Sequence, residues 1–138
     1  MSMIYMLDTN ASSEAIRGNA AINAKLQAMP LETWCISSIT AAEHTYGLAK
    51  KPEAVRLAQL VRAFLQLANV LPWDRGAADA LGLVRAALER RGRPIGAYDT
   101  LIAAHALSRN LILVTANVGE FERVPGLRIE NWQQQAKY

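Results

Sequence analysis

The sequence predicts a single α/β domain, residues 1–138, built as a central parallel sheet with helices on both faces. Three observations predict this fold. Short apolar runs alternate with longer segments of helical periodicity, the order typical of parallel sheets. A length of 138 residues suits one domain, and with 51% hydrophobic residues the chain can bury a sizeable core. No internal repeat, linker or low-complexity segment divides the chain.

Five short apolar runs are the predicted strands. Each is bounded by turn-forming or polar residues, which separates a buried strand from a helical segment. The most strongly apolar is the run Leu-Ile-Leu-Val, and the weakest is the last. In chain order the runs cover residues 4–7, 34–37, 69–72, 111–114 and 127–130.

The segments between these runs are the predicted helices. Asp8 can cap the first helix, Pro30 closes the second, and Thr40 is the predicted cap of the third. A wide apolar face over 53–68 predicts the fourth helix. Two more helices are predicted over 75–90 and 97–108, and a polar tail follows from about residue 133.

Composition excludes several classes of protein. Cys35 is the single cysteine, so no internal disulfide can form, which fits a reducing cytosol. No apolar run approaches the ~20 residues of a membrane span. The amino terminus has no basic region and reaches an acid at Asp8, unlike a signal peptide. We therefore expect a cytoplasmic protein with no membrane partner.

The charge of the chain favours a polyanionic partner. The net charge is +3, and arginines outnumber lysines by eleven to four. Arginine is favoured where a planar fork grips phosphate, although genome composition can also raise its frequency. If four acids form one site, the rest of the chain has 15 basic and 8 acidic residues, a net charge of +7. A basic surface around an acidic site is then expected.

Acidic residues fall where a parallel sheet would bring them together. Asp8 follows the first strand, and Glu43 lies in the first turns of the helix after the second. Asp99 lies in the first turns of the helix before the fourth strand, and Asn117 and Glu120 follow that strand. Ligand sites in parallel sheets lie at the carboxyl ends of strands. We therefore expect these side chains to converge.

The apolar neighbours of these acids favour a metal site. Carboxylates in apolar surroundings are costly unless they are paired or bind a metal. The two histidines, His44 and His105, have no zinc-type spacing, so an oxygen-ligated cation, Mg²⁺ or Mn²⁺, fits best. Such an ion can activate water and clamp a phosphodiester. Taken singly, each acid could instead be only a helix cap or a first-turn acid favoured by the helix dipole.

Four segments together resemble the PIN-domain toxins of the VapC type. They occur in the family's order, with similar spacing, over nearly the whole chain. The segments beginning Pro94-Ile-Gly-Ala-Tyr-Asp and Val114-Thr-Ala-Asn are the most specific. The other two are Met6-Leu-Asp-Thr-Asn and Ile36-Ser-Ser-Ile-Thr-Ala-Ala-Glu-His-Thr-Tyr-Gly.

The resemblance implies a PIN fold and an Mg²⁺- or Mn²⁺-dependent endoribonuclease that cleaves structured RNA such as tRNA. It also implies inhibition by a VapB-type antitoxin and a homodimer. The acids of the family map onto Asp8, Glu43 and Asp99, as catalytic residues and metal ligands. A fourth ligand falls at Asn117 or Glu120, and many relatives have Asp where this chain has Asn117.

One departure from the family pattern and several supporting roles complete the prediction. Large apolar residues usually follow the Asp-Thr-Asn motif, whereas this chain has Ala-Ser-Ser at 11–13. Thr9, Asn10 and Thr115 are predicted to orient carboxylates or water. The candidates for RNA phosphate contacts are the arginines Arg85, Arg90, Arg91 and Arg93, whose alternative is a solvated helix end.

Three other functions compete with this prediction. A PIN-like fold without catalysis would be a nucleic-acid-binding module, which the retention of three acids disfavours. A phosphoacceptor receiver domain would need a lysine after a late strand, and none of Lys25, Lys50, Lys51 and Lys137 is so placed. A structure-specific DNA nuclease stays open, because phosphodiester chemistry does not separate DNA from RNA.

Overall fold

A computed structural model of the chain describes residues 2–133. The polar tail predicted from about residue 133 therefore lies outside the described residues, apart from residue 133 itself. The strands are β1 (Tyr5–Leu7), β2 (Trp34–Ser37), β3 (Asn69–Leu71), β4 (Ile112–Val114) and β5 (Ile129–Glu130). The helices are α1 (Thr9–Ile16), α2 (Ala20–Gln27), α3 (Ser38–Lys50), α4 (Val55–Leu67), α5 (Arg75–Arg90), α6 (Ala97–Ser108) and α7 (Val118–Phe121).

The five strands form one parallel sheet in the order β3-β2-β1-β4-β5. This confirms the predicted parallel α/β fold. The first strand is central, and Leu7 aligns with Ile36 of β2 and with Val114 of β4. Asp8 and Thr115, which follow β1 and β4, therefore leave the sheet at the same level, beside Ser37 at the end of β2.

Hydrophobic residues cover both faces of the sheet. Successive strand residues point to opposite faces, and Met6 packs with residues of α5 and α6 while Leu7 packs with residues of α1 and α2. Phe64 and Leu65 of α4 pack against the same group of residues as Leu7. Because both faces are covered, the strands are apolar at nearly every position, which is why they were visible in the sequence.

The predicted elements agree with the observed ones except at their ends. The helices predicted over 75–90 and 97–108 match α5 and α6 to the residue. The helix predicted from residue 53 begins at Val55, and the last strand shortens to Ile129–Glu130. Not all of the predicted apolar face of α4 is buried, because Val55 and Leu60 are exposed.

The predicted cap of the third helix was wrong. Ser37, not Thr40, caps α3, and the Ser37 hydroxyl accepts a hydrogen bond from the Ile39 amide at 3.0 Å. The helix therefore starts directly from the last residue of β2. Thr40 lies inside the helix, fully buried, with its Oγ1 3.2 Å from Thr9 Oγ1.

Within residues 2–133, no helix combines the length and the hydropathy that crossing a membrane requires.

Candidate metal centre

Asp8 lies at the centre of the candidate site, directly after the central strand. Its side chain is only 2% exposed and caps α1, accepting a hydrogen bond from the Ala11 amide at 2.7 Å. Burial raises the pKa of Asp8, hydrogen bonds from Thr115 and Ala11 lower it, and the charges of Glu43 and Glu120 raise it. The net effect is a raised pKa, so the site favours a positive charge beside this carboxylate.

Glu43 reaches the same region from the second turn of α3. The Thr9 hydroxyl donates a hydrogen bond to Glu43 Oε1. Thr9 is the residue after Asp8, so one hydroxyl connects the neighbourhoods of two acids that are far apart in sequence. The predicted orienting role of Thr9 is consistent with this contact.

Asp99 and Glu120 form the other half of the site. Burial, a hydrogen bond between the two carboxyl groups and the negative charges of Glu120, Asp8 and Glu43 raise the pKa of Asp99 to about 7. Two carboxyl groups in contact cannot both ionise easily, which favours a proton or a cation beside them. The negative charges of Asp8 and Glu43 also act on Asp99, so the four acids share one electrostatic environment.

Glu120 is held in place by neighbouring donors. Its Oε1 accepts from the Gly96 amide at 3.1 Å, and its Oε2 accepts from Asn117 Nδ2 at 2.8 Å. Burial acts to raise the pKa of Glu120, but the hydrogen bonds from Asn117, Asp99 and Gly96 and the charge of Arg123 outweigh it and lower the pKa. Of the two candidates for the fourth ligand, Glu120 therefore carries the negative charge, and Asn117 holds its carboxylate through a hydrogen bond.

Thr115 connects the two halves. Its hydroxyl bonds to Asp8, and its Oγ1 accepts from the Asn117 amide at 2.9 Å. It follows β4 at the level where Asp8 follows β1. Asn10, in contrast, is exposed, and within residues 2–133 its side chain makes no hydrogen bond to these acids. The predicted orienting role thus fits Thr9 and Thr115 and not Asn10.

Within residues 2–133, none of the four acids forms a salt bridge with a basic side chain. The salt bridges of the described residues involve other acids, namely Glu14, Asp79 and Glu89. In the same part of the chain, no three His, Cys, Asp or Glu side chains approach closely enough to enclose an ion. Mg²⁺ does not need such a cage, because it commonly keeps several waters and binds one or two carboxylates. The donor set therefore fits a hydrated Mg²⁺ or Mn²⁺.

A buried pair that the sequence did not predict supports the Asp8 and Glu43 half. Ser12 on α1 and His44 on α3 are both buried, with Ser12 Oγ 2.6 Å from His44 Nε2. Burial and the charge of Arg17 lower the pKa of His44, so the ring is neutral at neutral pH. The Ser12 hydroxyl donates to the Thr9 carbonyl at 2.9 Å, so Ser12 Oγ accepts from His44 Nε2–H. The departure at 11–13 thus creates a polar link between two helices.

The second histidine is part of the core. His105 is fully buried on α6, and its Nδ1 lies 2.8 Å from Ser37 Oγ. Burial lowers its pKa, with Arg109 adding to the effect and Asp74 opposing it. This contact attaches the helix of Asp99 to the beginning of the helix of Glu43.

The four predicted RNA-contacting arginines are exposed. Arg85 pairs with Glu89 at 3.5 Å, and Arg91 Nη1 donates to the Arg123 carbonyl at 3.5 Å. Arg91, Arg93 and Arg123 line one surface pocket. The charge of Arg123 acts on Glu120. Their contact with RNA stays a prediction.

The fold and the site together define a class of protein. Four carboxylates that influence one another lie at or beside the carboxyl edge of a parallel sheet and offer oxygen ligands, and among the described residues none of them forms a salt bridge. Basic residues line pockets beside them. This combination is suited to metal-assisted cleavage of phosphodiesters.

Comparison with known proteins identifies the family. The PIN domain family model matches residues 5–127. The chain is 42% identical over 128 residues to the tRNA(fMet)-specific endonuclease VapC of Salmonella typhimurium, covering 93% of this chain and 97% of the relative. It is 39% identical to Ribonuclease VapC2 of Haemophilus influenzae, with the same coverage.

Solved structures agree. The DNA-bound VapBC complex of Salmonella typhimurium contains a chain that matches with a TM-score of 0.88 and 42% identity, over 94% of this chain and 98% of that one. VapBC2 of Rickettsia felis, bound to a promoter DNA fragment, matches with a TM-score of 0.87 and 36% identity, over 94% and 99%. The chain therefore belongs to the PIN-domain family, among its VapC ribonucleases.

Proposed function

We propose that this chain is the toxin of a VapBC-type toxin–antitoxin pair, an endoribonuclease that depends on Mg²⁺ or Mn²⁺. The observation that carries the proposal is the mutual influence of four carboxylates at one edge of the sheet, none of which forms a salt bridge within residues 2–133. Such a cluster is stabilised by a divalent cation, and the family's ribonuclease activity supplies a reason for it.

In this proposal Asp8 and Asp99 bind the cation directly, and Glu43 and Glu120 bind it directly or through its water molecules. When bound, the ion activates a water molecule and neutralises charge on the phosphodiester. Thr9 fixes Glu43, and Thr115 fixes Asp8, through the hydrogen bonds described above. The residues of the chain thus orient the carboxylates before substrate arrives, which removes reorganisation from the reaction.

We further propose that the substrate is a structured RNA, with initiator tRNA as the first candidate because a relative is named for that specificity. Cleavage of DNA is the alternative that the chemistry alone leaves open. The activity is proposed to act in the cytoplasm, where tRNA is found. A homodimer stays a prediction.

The proposed partner is a VapB-type antitoxin. Structures of related chains are described as VapBC complexes, two of them bound to DNA. An open acidic site can accept a basic side chain from an inhibitor, because that side chain replaces the charge of the cation. Expression of the chain alone should therefore arrest growth, and co-expression of the antitoxin should relieve it.

The proposal is tested with purified chain and transcripts of initiator tRNA, an elongator tRNA and single-stranded DNA of equal length. We expect cleavage of RNA in Mg²⁺ or Mn²⁺, none in EDTA, and recovery when the metal is restored. A folded chain that binds tRNA but leaves every RNA intact in both metals would instead support the catalytically silent binding module.

A further inference from the structure

A cleft between α1, α3 and α4 opens beside the carboxylates and has no role in the mechanism above. It has a volume of about 290 Å³, and its lining includes Thr9 and Glu43, which also belong to the candidate metal centre. Val61 and Leu57 of α4 contribute an apolar wall. We refer to it as the α1–α3 cleft. Because Thr9 and Glu43 belong to both the cleft and the candidate metal centre, a ligand in the cleft lies next to the metal centre.

The rim of the α1–α3 cleft is basic. Arg17 lies at the end of α1, and Lys50 and Lys51 lie at the end of α3, so three cations from two helices line one opening. All three are exposed. Glu43, at the boundary with the metal centre, is the only acid in the lining.

These cations remain available to a ligand. The contact of Arg17 with Glu14 is 3.9 Å long and solvent-exposed, and such pairs are weak. Lys50 is exposed and lies over the Tyr46 ring, with its Nζ 4.9 Å from the ring centroid. Lys51 makes no salt bridge or side-chain hydrogen bond within residues 2–133.

The basic cluster of Arg91, Arg93 and Arg123, near Glu120, is less available to a ligand. Arg91 donates to the Arg123 carbonyl, and Arg123 Nη1 donates to the Pro94 carbonyl at 3.3 Å. Glu122 also lines that pocket. Two of the three arginines of that pocket already donate hydrogen bonds within the protein, and an acid lies among them. The α1–α3 cleft is therefore the more suitable site for an external anion.

We propose that the α1–α3 cleft is a subsite for an RNA nucleotide next to the scissile bond. The backbone phosphate contacts Arg17 and Lys51, and the base lies against the apolar wall at Leu57 and Val61. A phosphodiester strand must approach four carboxylates that repel it, and cations beside them offset this repulsion. The cleft is also close to the lower limit of about 300 Å³ for ligand pockets, a size suited to one nucleotide. This inference rests on the proposed ribonuclease function.

The test compares two variants that each lose two positive charges. Arg17→Gln with Lys51→Gln changes the subsite, and Arg75→Gln with Lys25→Gln changes cations outside the lining of the cleft. Cleavage of the initiator tRNA transcript is measured from 50 to 200 mM salt. We expect the first variant to raise KM about 10-fold with kcat unchanged. It should also lower the slope of log KM against log salt by ~0.7–0.9, the amount expected for the loss of one neutralised phosphate.

The control variant should keep KM within about twofold, and Arg17→Lys with Lys51→Arg should retain the wild-type KM because it keeps both charges. Three results would overturn the subsite: unchanged KM in the first variant, an equal rise in the control variant, or loss of antitoxin inhibition with normal KM, which would assign the cleft to a protein partner. A wild-type chain that cleaves no RNA in either metal would refute the proposed function, and the subsite with it.

Discussion

The two halves of the candidate metal centre are stabilised in different ways. In the Asp8 and Glu43 half, hydroxyl and amide donors from Thr9, Ala11 and Thr115 reach the carboxylates. In the Asp99 and Glu120 half, the two carboxyl groups contact each other, and the pKa of Asp99 rises to about 7 because of burial and the negative charge around it.

This difference indicates a division of work. The first half is ordered by neutral donors. The second half brings two carboxyl groups into contact, an arrangement that a proton or a cation stabilises. We therefore expect changes to Asp99 and Glu120 to affect mainly metal use, and changes to the neutral contacts behind Asp8 and Glu43 to affect mainly the stability of the fold.

The largest expected effect comes from Asp99→Asn. The substitution preserves the shape of the side chain and removes the charge that holds the cation. Cleavage of the RNA substrate should fall by more than the ~10–100-fold typical of residues that only orient metal ligands. Initial rates at equal Mg²⁺ measure this, with circular dichroism as the folding control. Near-normal cleavage by a folded variant would contradict the metal centre.

Metal and pH should act together on stability. The pKa of Asp99 is raised from 3.8 to about 7 in the folded chain, so the folded state binds more protons than the unfolded state between these values. Without metal, this group therefore lowers stability as pH rises from about 4 to about 7. Mn²⁺ should raise the Tm more at pH 8 than at pH 5, through binding to the folded state.

Thermal melts of the wild type and of Asp99→Asn, in Mn²⁺ and in EDTA at both pH values, check this expectation. The variant, which has no proton to lose at this position, should show a smaller dependence on pH and a smaller gain from Mn²⁺. Wild-type melting curves that coincide in Mn²⁺ and EDTA at pH 8 would count against a divalent cation in the site.

Glu120→Gln and Asn117→Ala distinguish the roles of these two side chains in the Asp99 and Glu120 half. Glu120→Gln removes a charge in contact with Asp99, and should raise the Mg²⁺ concentration for half-maximal cleavage by about 10-fold. Asn117→Ala removes only a donor to Glu120, so its effect should be smaller. Calorimetric titration with Mn²⁺ compares the two, and the reverse order of effects would make Asn117 the ligand.

The smallest effect on chemistry should come from the helix contact behind the first half. Ser12→Ala leaves His44 Nε2 buried without its partner, which should lower the free energy of unfolding by about 1–3 kcal/mol. Urea denaturation measures this change. Ser12→Ala with His44→Leu should cost less than the sum of the single changes, whereas additive losses would show that the two side chains are not coupled.

The sequence predicted the frame of the molecule because burial leaves a periodic signal. Apolar runs predicted the strands, and the limits of α5 and α6 followed from the turn residues around them. The cap of α3 was missed because Ser37, Ser38 and Thr40 are all chemically suitable caps. Only the direct transition from β2 into the helix distinguishes them.

The site was only partly predictable for a similar reason. The grouping of Asp8, Glu43, Asp99 and Glu120 follows from their places after strands and in the first turns of helices at the carboxyl edge of the sheet. The amide of Gly96, which holds Glu120, carries no side-chain signal. The cations of the α1–α3 cleft resemble ordinary helix-end residues in the sequence, since lysine is favoured there by the helix dipole. Only the packing of α1 against α3 places them together.

The central position of β1 has a consequence for the chain during synthesis. β1 is the first strand to leave the ribosome, but its neighbour β4 begins only at Ile112, and Glu120 follows later still. Pairing between segments so distant along the chain forms late in folding. A nascent or truncated chain that ends before β4 therefore lacks Glu120 and one of the two strands that flank β1. A cell that makes such a protein is exposed to its activity only when translation is nearly finished.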